Sequence, residues 1–265
     1  MPKWRLLKLE TYDAATNMAI DEAVLRSRIC GKVPNTIRFY RWNPSAVSIG
    51  RFQNVHDAVN LENCEKYGVD VVRRITGGGA VYHDSQDEIT YSMIVGRDDL
   101  DTEDVTSSYD KICKGLTNAV GLLGVKADFN QGDPRNCPNI AVNGRKISGS
   151  AQSFKGGVVL QHGTLLLSVD LKKMFTYLRV PWAKTCMEIV NVAERRITSL
   201  KKELGAEIDV EQAHAALVKG FQNTLEINLS ESTLTPEELK TVERLRMEKF
   251  VSRNWTLLGA WTDRV

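Results

Sequence analysis

Three consecutive glycines, Gly77 to Gly79, stand between a run that reads as a buried strand, Val69 to Ile75, and a second strand-like run, Glu88 to Val95. Each glycine gives up more backbone freedom on folding than any other residue, and a simple hairpin does not need three of them. The triplet therefore marks a place where something approaches the backbone closely. Its amides can line an anion or a carboxylate, and the adjacent Arg73 or Arg74 supplies a guanidinium for the same partner. A tight turn would also account for it. The segment is neither a Gly-x-x-x-x-Gly-Lys-Ser/Thr loop nor a Gly-x-Gly-x-x-Gly turn opening a helix, so P-loop and dinucleotide-binding architectures are both excluded.

Around this loop the apolar spacing predicts a strand at Trp4 to Leu9 and a helix from Ala14 to Arg28, with Asp21 and Glu22 on its wet face. Thr36 to Trp42 and Ala46 to Ile49 read as two strands joined by a turn, and Leu61 to Tyr67 as a helix ended by Gly68. A helix over Ser107 to Leu123, a hairpin turning at Asn143-Gly144 and a strand at Gly157 to Leu167 follow. From Leu171 the pattern turns mostly helical: Leu171 to Leu178, Glu194 to Gly205, Val210 to Leu225, and Thr235 to Phe250 with Pro236 in its first turn. Strands mixed with helices, without steady βαβ alternation, indicate an α+β fold, a mixed sheet flanked by helices. Residues 1–265 read as a single domain with a helical C-terminal part.

The 35 basic and 33 acidic residues nearly cancel, which excludes a nucleic-acid or membrane partner held by bulk charge. No run of about 18 apolar residues occurs, and the start lacks the apolar core of a secretory signal, so a cytoplasmic protein is expected. Cys30, Cys64, Cys113, Cys137 and Cys186 form neither a disulfide framework nor a zinc pattern. None of His56, His83, His162 and His214 has a second histidine at ligand spacing, and metal ligands are not identified.

Further candidate positions lie on the hairpin and the strand after it. Lys146, in Gly144-Arg145-Lys146-Ile147-Ser148-Gly149, can reach inward and hold an ammonium against an acyl phosphate or oxyanion, although a hairpin lysine is by default solvated. Gln161-His162-Gly163-Thr164 puts polar groups in an otherwise apolar strand, where they need partners whether or not they touch a ligand. Cys137 sits in a polar, turn-rich loop two residues after Arg135, and could be a nucleophile or incidental.

Taken in order, these segments resemble the lipoate-protein ligase A family within the biotin/lipoyl attachment superfamily. The resemblance runs from Asn17-Met18-Ala19-Ile20-Asp21-Glu22-Ala23 through Arg38-Phe39-Tyr40-Arg41-Trp42 and Ser48-Ile49-Gly50-Arg51-Phe52-Gln53. It continues in Arg73 to Asp84 and in the Lys146 and Gln161-His162-Gly163-Thr164 segments. It implies a biotin/lipoyl ligase-like catalytic domain that joins lipoate to ATP as lipoyl-AMP, usually with Mg2+. The acyl group then passes to a lysine of a lipoyl carrier domain, in a 2-oxoacid dehydrogenase or the glycine cleavage H protein. Carried over by position, Arg74, Thr76 and Gly77, Gly78 and Gly79 line the lipoate and phosphate region, Lys146 contacts the acyl-phosphate junction, and His83, Asp84, His162 and Thr164 are further contacts. Val72, Val81, Tyr82 and Leu160 are candidate walls for the acyl tail. The chain corresponds to a short form lacking the C-terminal accessory domain, which implies a separate accessory subunit. Where the family has an Asp-containing turn before the lysine motif, this chain has Cys137-Pro138-Asn139-Ile140. Octanoyl and lipoyl transferases of the superfamily use a loop cysteine, so an acyl-Cys137 enzyme is the alternative, and a non-catalytic carrier-docking module a third reading.

Overall fold

The computed structural model describes residues 2–102, 104–132, 138–183 and 185–262. The first half of the chain forms β1 (Lys3–Tyr12), α1 (Ala14–Ile29), β2 (Thr36–Trp42), β3 (Ala46–Ile49), α2 (Val55–Ala58), α3 (Leu61–Lys66), β4 (Asp70–Arg73), β5 (Val81–His83), β6 (Glu88–Gly96), α4 (Arg97–Leu100) and α5 (Val105–Leu122). The second half adds β7 (Asp128–Asn130), β8 (Asn139–Val142), β9 (Arg145–Lys155), β10 (Val158–Leu166), α6 (Leu171–Tyr177), α7 (Cys186–Ala193), α8 (Leu200–Leu204), α9 (Val210–Leu225), β11 (Asn228–Ser232) and α10 (Pro236–Leu245). Two single π-turns, Arg246–Phe250 and Asn254–Leu258, follow.

Eight strands make one mixed sheet in the order β11-β1-β2-β6-β10-β9-β8-β7, and β4-β3-β5 make a small second sheet. The fold is α+β with a mixed sheet flanked by helices. Alternation along β2 divides the large sheet's faces: Ile37 and Phe39 join the core under α5 and α9, while Tyr40 and Trp42 join the core under α1. Strands β2 and β3, joined by the turn read from the sequence, belong to different sheets. The reason is burial: Val47 and Ile49 pack with Cys64, Val69 and Tyr82 in a third apolar cluster, away from Tyr40 and Trp42.

Helix α1 is capped by the Asp13 carboxylate, which accepts from the Thr16 amide, and it is buried on more than one side. Asp21 and Glu22 are therefore not on a wet face, being only 2% and 5% exposed. Each is compensated, as a buried carboxylate must be. Asp21 pairs with Arg38 at 3.0 Å, and Glu22 with Lys249 at 2.6 Å and with Arg26.

The expected helix over residues 194–205 is shorter, because the chain before it is used otherwise. The Lys146 amide donates to the Arg196 carbonyl at 2.7 Å and the Thr198 amide to the Lys146 carbonyl at 2.9 Å, so only Leu200–Leu204 is helical, capped by Ser199. The mostly helical second half also contains a strand: β11 adds to the sheet edge in parallel beside β1. The segment after Pro236 is not a detached tail. Arg5 and Glu238 form a buried bidentate pair at 2.8 and 2.6 Å, and Trp255 and Phe250 belong to the core under α1. No helix of the described residues is long and apolar enough to cross a membrane.

Candidate active site

Between the two sheets lies a cavity of about 310 Å³, lined by Met18, Tyr40, Trp42, Ser48, Arg74, Gly78, Gly79, Ala80, Val81, His83, Thr90, Asn139, Lys146, Gly149, Ser150, Ala151, His162, Gly163 and Thr164. This is at the small end of ligand pockets. The large sheet's register builds its floor. Arg38, Ser92, His162 and Ala151 lie opposite one another on four adjacent strands, and Tyr40, Thr90, Thr164 and Gly149 form the next row. The Ala151 and Gly149 ends of these rows keep the floor low.

Two buried hydrogen-bond chains converge on Arg74 from opposite sides. In one, the Arg74 Nε donates to Thr76 Oγ1 at 3.1 Å, Thr76 meets His162 Nε2 at 2.7 Å, and His162 Nδ1 meets Asp21 Oδ2 at 3.1 Å. In the other, Arg74 donates to Ser48 Oγ at 3.2 Å, Ser48 meets His83 Nε2 at 2.8 Å, and His83 Nδ1 meets Glu88 Oε1 at 2.7 Å. Arg38 and the Tyr40 hydroxyl also donate to Asp21. Burial alone would raise the Asp21 pKa, but the His162 and Arg38 interactions pull it below the usual carboxylate range. Burial pushes His162 down, against the upward pull of Asp21. Both ring nitrogens of His83 and of His162 are engaged, so neither ring is presented to the cavity as a proton acceptor.

Arg74 holds the glycine loop as well. Its remaining donors go to the carbonyls of Gly77 at 2.6 Å, Gly79 at 2.7 Å and Ser48 at 3.0 Å. All three guanidinium nitrogens are thus engaged with the protein. The loop is closed from outside by Gly50, where a β-carbon would run into the carbonyl oxygen of Gly78. The close approach expected at the triplet therefore falls at Gly50: β-carbons on Gly77 and Gly79 would meet nothing within 4 Å, and Gly78 takes a left-handed conformation at φ 87°. Arg73 points elsewhere: it donates to the carbonyls of Gly50, Arg51, Gln53, Trp255, Thr256 and Leu257.

Lys146 comes from the other sheet, where a register shift between Ile140 and Ala141 re-aims the start of β9. It is solvent-exposed yet lines the cavity, and its Cε and Nζ lie 2.6 Å from where a β-carbon on Gly149 would stand. Asn143 and Gly144 take the left-handed conformations that a tight Asn-Gly hairpin requires.

Of the residues expected at the site, Arg74, Gly78, Gly79, His83, Lys146, His162 and Thr164 line the cavity. Thr76 and Gly77 stand just behind it, bonded to His162 and Arg74. Asp84 is turned away: it pairs with Lys173 at 2.6 Å, accepts from the Gln86 amide and the Tyr82 hydroxyl, and is not a lining residue. Cys137 lies outside the described residues; Asn139, two positions later in sequence, is in the lining. Of the expected acyl walls only Val81 lines the cavity, because Val72 and Leu160 pack under α1 and Tyr82 stacks on Tyr177. Ser48, Gly50, Met18 and Trp42 had no assigned role from the sequence, nor had Asp21 and Glu88 behind the cavity; the hydrogen-bond chains reveal Ser48, Asp21 and Glu88, the cavity lining Met18 and Trp42, and the packing on Gly78 reveals Gly50.

Among the described residues no group of three or more His, Cys, Asp or Glu side chains is placed to hold a metal ion. Among the described residues the lining offers two cations and neutral oxygens and no carboxylate, whereas magnesium is held through carboxylates and phosphate oxygens. These residues do not fit a protein-held magnesium ion.

Octanoyltransferase LipM of Brevibacillus brevis is 35% identical, covering 97% of this chain and 99% of its own. That of Kyrpidia tusciae is 37% identical, covering 96% and 98%. A bi-partite lipoate protein ligase from Thermoplasma acidophilum, solved with its E2 lipoyl domain, superposes with a TM-score of 0.86 at 28% identity, covering all of both chains. A lipoate-protein ligase A bound with ATP superposes with a TM-score of 0.83 at 29% identity, covering 97% of this chain and 99% of that one. The family model for the lipoyl protein ligase A/B catalytic domain matches residues 13–222, and the chain belongs to that family.

Proposed function

We propose that this chain is an octanoyl or lipoyl transferase acting on lipoyl carrier domains, with residues 1–265 as one catalytic domain. The observation that carries the reading is the small cavity with Lys146 at its mouth and Asn139, two residues after Cys137, in its wall. Near-complete matches to octanoyltransferases on both chain lengths support it.

In this reading the Cys137 thiolate attacks the carbonyl carbon of a carrier-bound acyl thioester. The carbon–sulfur bond to the carrier breaks, and the carrier thiol leaves with a proton. The Lys146 ammonium donates to the oxygen that gains charge as the tetrahedral intermediate forms. The neutral amine of an acceptor lysine then attacks acyl-Cys137, an amide forms, and the cysteine is released. Met18, Trp42, Ala80, Val81 and Ala151 take the apolar chain, and the glycine loop closes over it. Donor and acceptor are carrier domains, the acceptor belonging to a 2-oxoacid dehydrogenase or a glycine cleavage H protein.

ATP-dependent ligation of lipoate is the second reading, favoured by the likeness to the ATP-bound ligase. In it Lys146 faces the acyl-phosphate junction, magnesium comes with the nucleotide, and an accessory subunit completes the reaction. One experiment separates the two. The protein is mixed with octanoyl carrier protein without ATP and, separately, with lipoate, ATP and magnesium, and both are read by mass spectrometry. Acyl-Cys137 formed without ATP supports the transferase; lipoyl-AMP with no acyl-cysteine supports the ligase and overturns it.

A further inference from the structure

Asp21 is absent from the cavity wall, yet a buried chain of hydrogen bonds runs from it through His162 and Thr76 to Arg74, and on to the carbonyls of Gly77 and Gly79. The direction of each bond follows from proton accounting. The Asp21 carboxylate, held ionised beside Arg38, can only accept, so His162 carries its proton on Nδ1 and the neutral ring leaves Nε2 as an acceptor. Thr76 therefore gives its proton to His162 Nε2 and accepts on its lone pairs from Arg74, which can only donate. Arg38 donates to Asp21 Oδ1, and the Tyr40 hydroxyl donates to Oδ2 beside His162. The second chain from Glu88 repeats the scheme through His83 and Ser48.

We infer that Asp21 is a positioning residue: it holds His162 in the Nδ1–H tautomer, which draws the Thr76 proton to Nε2, turns the hydroxyl lone pairs toward Arg74 and so fixes the glycine loop against the bound acyl group. Arg74, with all three of its guanidinium nitrogens bonded to the protein, acts on the substrate through that loop rather than by gripping it. Its orientation is set from two sides, by one carboxylate–imidazole–hydroxyl chain each. The rate measurement for this inference rests on the proposed acyl transfer; the spectroscopic one does not.

The histidine tautomers are read by long-range proton–nitrogen NMR of the unmodified protein at pH 8, with His83→Gln and His162→Gln spectra assigning the two rings. An Nδ1–H signature for His162 is expected, and an Nε2–H signature overturns the inference. Asp21→Asn, whose amide can donate where the carboxylate accepted, should move His162 toward the Nε2–H form; an unchanged tautomer counts against Asp21. The rate test uses two isosteric halves of the ring. In His162→Gln the amide oxygen can still accept from Thr76, whereas His162→Asn keeps only the donor toward Asp21. The expected result is that His162→Gln retains octanoyl transfer within about threefold while His162→Asn and Asp21→Asn lose about tenfold or more in kcat/KM, one tenfold step being about 1.4 kcal/mol. Equal losses in His162→Gln and His162→Asn at matched melting temperature would reduce the chain to ordinary packing. No transfer by the unmodified protein would instead defeat the proposed activity, leaving the tautomer result to stand or fall alone.

Discussion

Gly50 and Gly78 meet backbone to backbone: a β-carbon on Gly50 would strike the Gly78 carbonyl oxygen and stand 3.0 Å from its carbonyl carbon. Backbone cannot swing aside as a flexible side chain can, so Gly50→Ala must displace the loop that Arg74 holds. Overpacking of this kind costs about 1–3 kcal/mol. We expect Gly50→Ala to lower the unfolding free energy by that order and acyl transfer by well over tenfold, measured by urea unfolding and by carrier acylation. Wild-type activity at wild-type stability would show that the loop shape is not needed.

Gly149 and Lys146 predict the opposite division. A β-carbon on Gly149 would meet only the far end of the Lys146 side chain, 2.6 Å away, and that end can move. Gly149→Ala should therefore shift the ammonium and reduce transfer severalfold with little change in stability. Lys146→Ala should abolish transfer, again with stability within about 0.5 kcal/mol of wild type, because the side chain is exposed. A Lys146→Ala protein as active as wild type would return this lysine to the solvent.

How much of this was readable in the residues differs from part to part. Strong local signals carried through: the Asn143-Gly144 hairpin, the apolar runs of β6 and β10, and the helices α5 and α9 are where the spacing puts them. The edge strand β11 was not readable, because Asn228-Leu229-Ser230-Glu231-Ser232 has no apolar run and is a strand through pairing with β1. Asp21 and Glu22 look like the wet side of an amphipathic helix, and Arg38, His162 and Lys249, each distant in sequence, join the local Arg26 in making their burial tolerable. The glycine triplet suggested a close approach, but the crowded position is Gly50, 28 positions before Gly78, and no local rule links the two. Polar networks of this kind are invisible until the fold brings their members together.

Arg73 makes a prediction about the C-terminal segment. Its guanidinium joins the carbonyls of residues 50, 51 and 53 to those of 255–257, and the Trp255 indole returns a bond to the Arg73 carbonyl at 2.7 Å. Lysine has three donors on one atom and cannot span both groups. Arg73→Lys should leave several buried carbonyls unpaired, each costing about 1–3 kcal/mol. Amide hydrogen exchange is expected to rise in residues 250–262 and 50–53 first, ahead of the large sheet. Uniform acceleration across the chain would mean global destabilisation instead.

The last prediction concerns acid. Burial holds the His162 pKa below its ordinary value despite the upward pull of Asp21, with the positive charge of Arg74 and the neighbouring His83 adding to the depression. His214 is lowered too, by burial, against the opposing charges of Glu211 and Glu231. A group with a depressed folded pKa is protonated more readily in the unfolded chain. Its contribution is complete above the unfolded value, about 6.5 for histidine, and is lost as pH falls through the folded value. Asp21 and Glu238 are depressed as well, so their contributions are complete above about pH 4 and fade only below it. Stability should therefore fall in two stages, the first below about pH 6.5 and the second below about pH 4, with each histidine adding at most about 1.4 kcal/mol per pH unit. Melting temperatures at pH 8, 6 and 5 test this in the unmodified protein and in His162→Gln, which has no titrating group at that position. The variant should show the shallower loss between pH 6.5 and 5; parallel curves would mean that His162 does not charge on unfolding in this range.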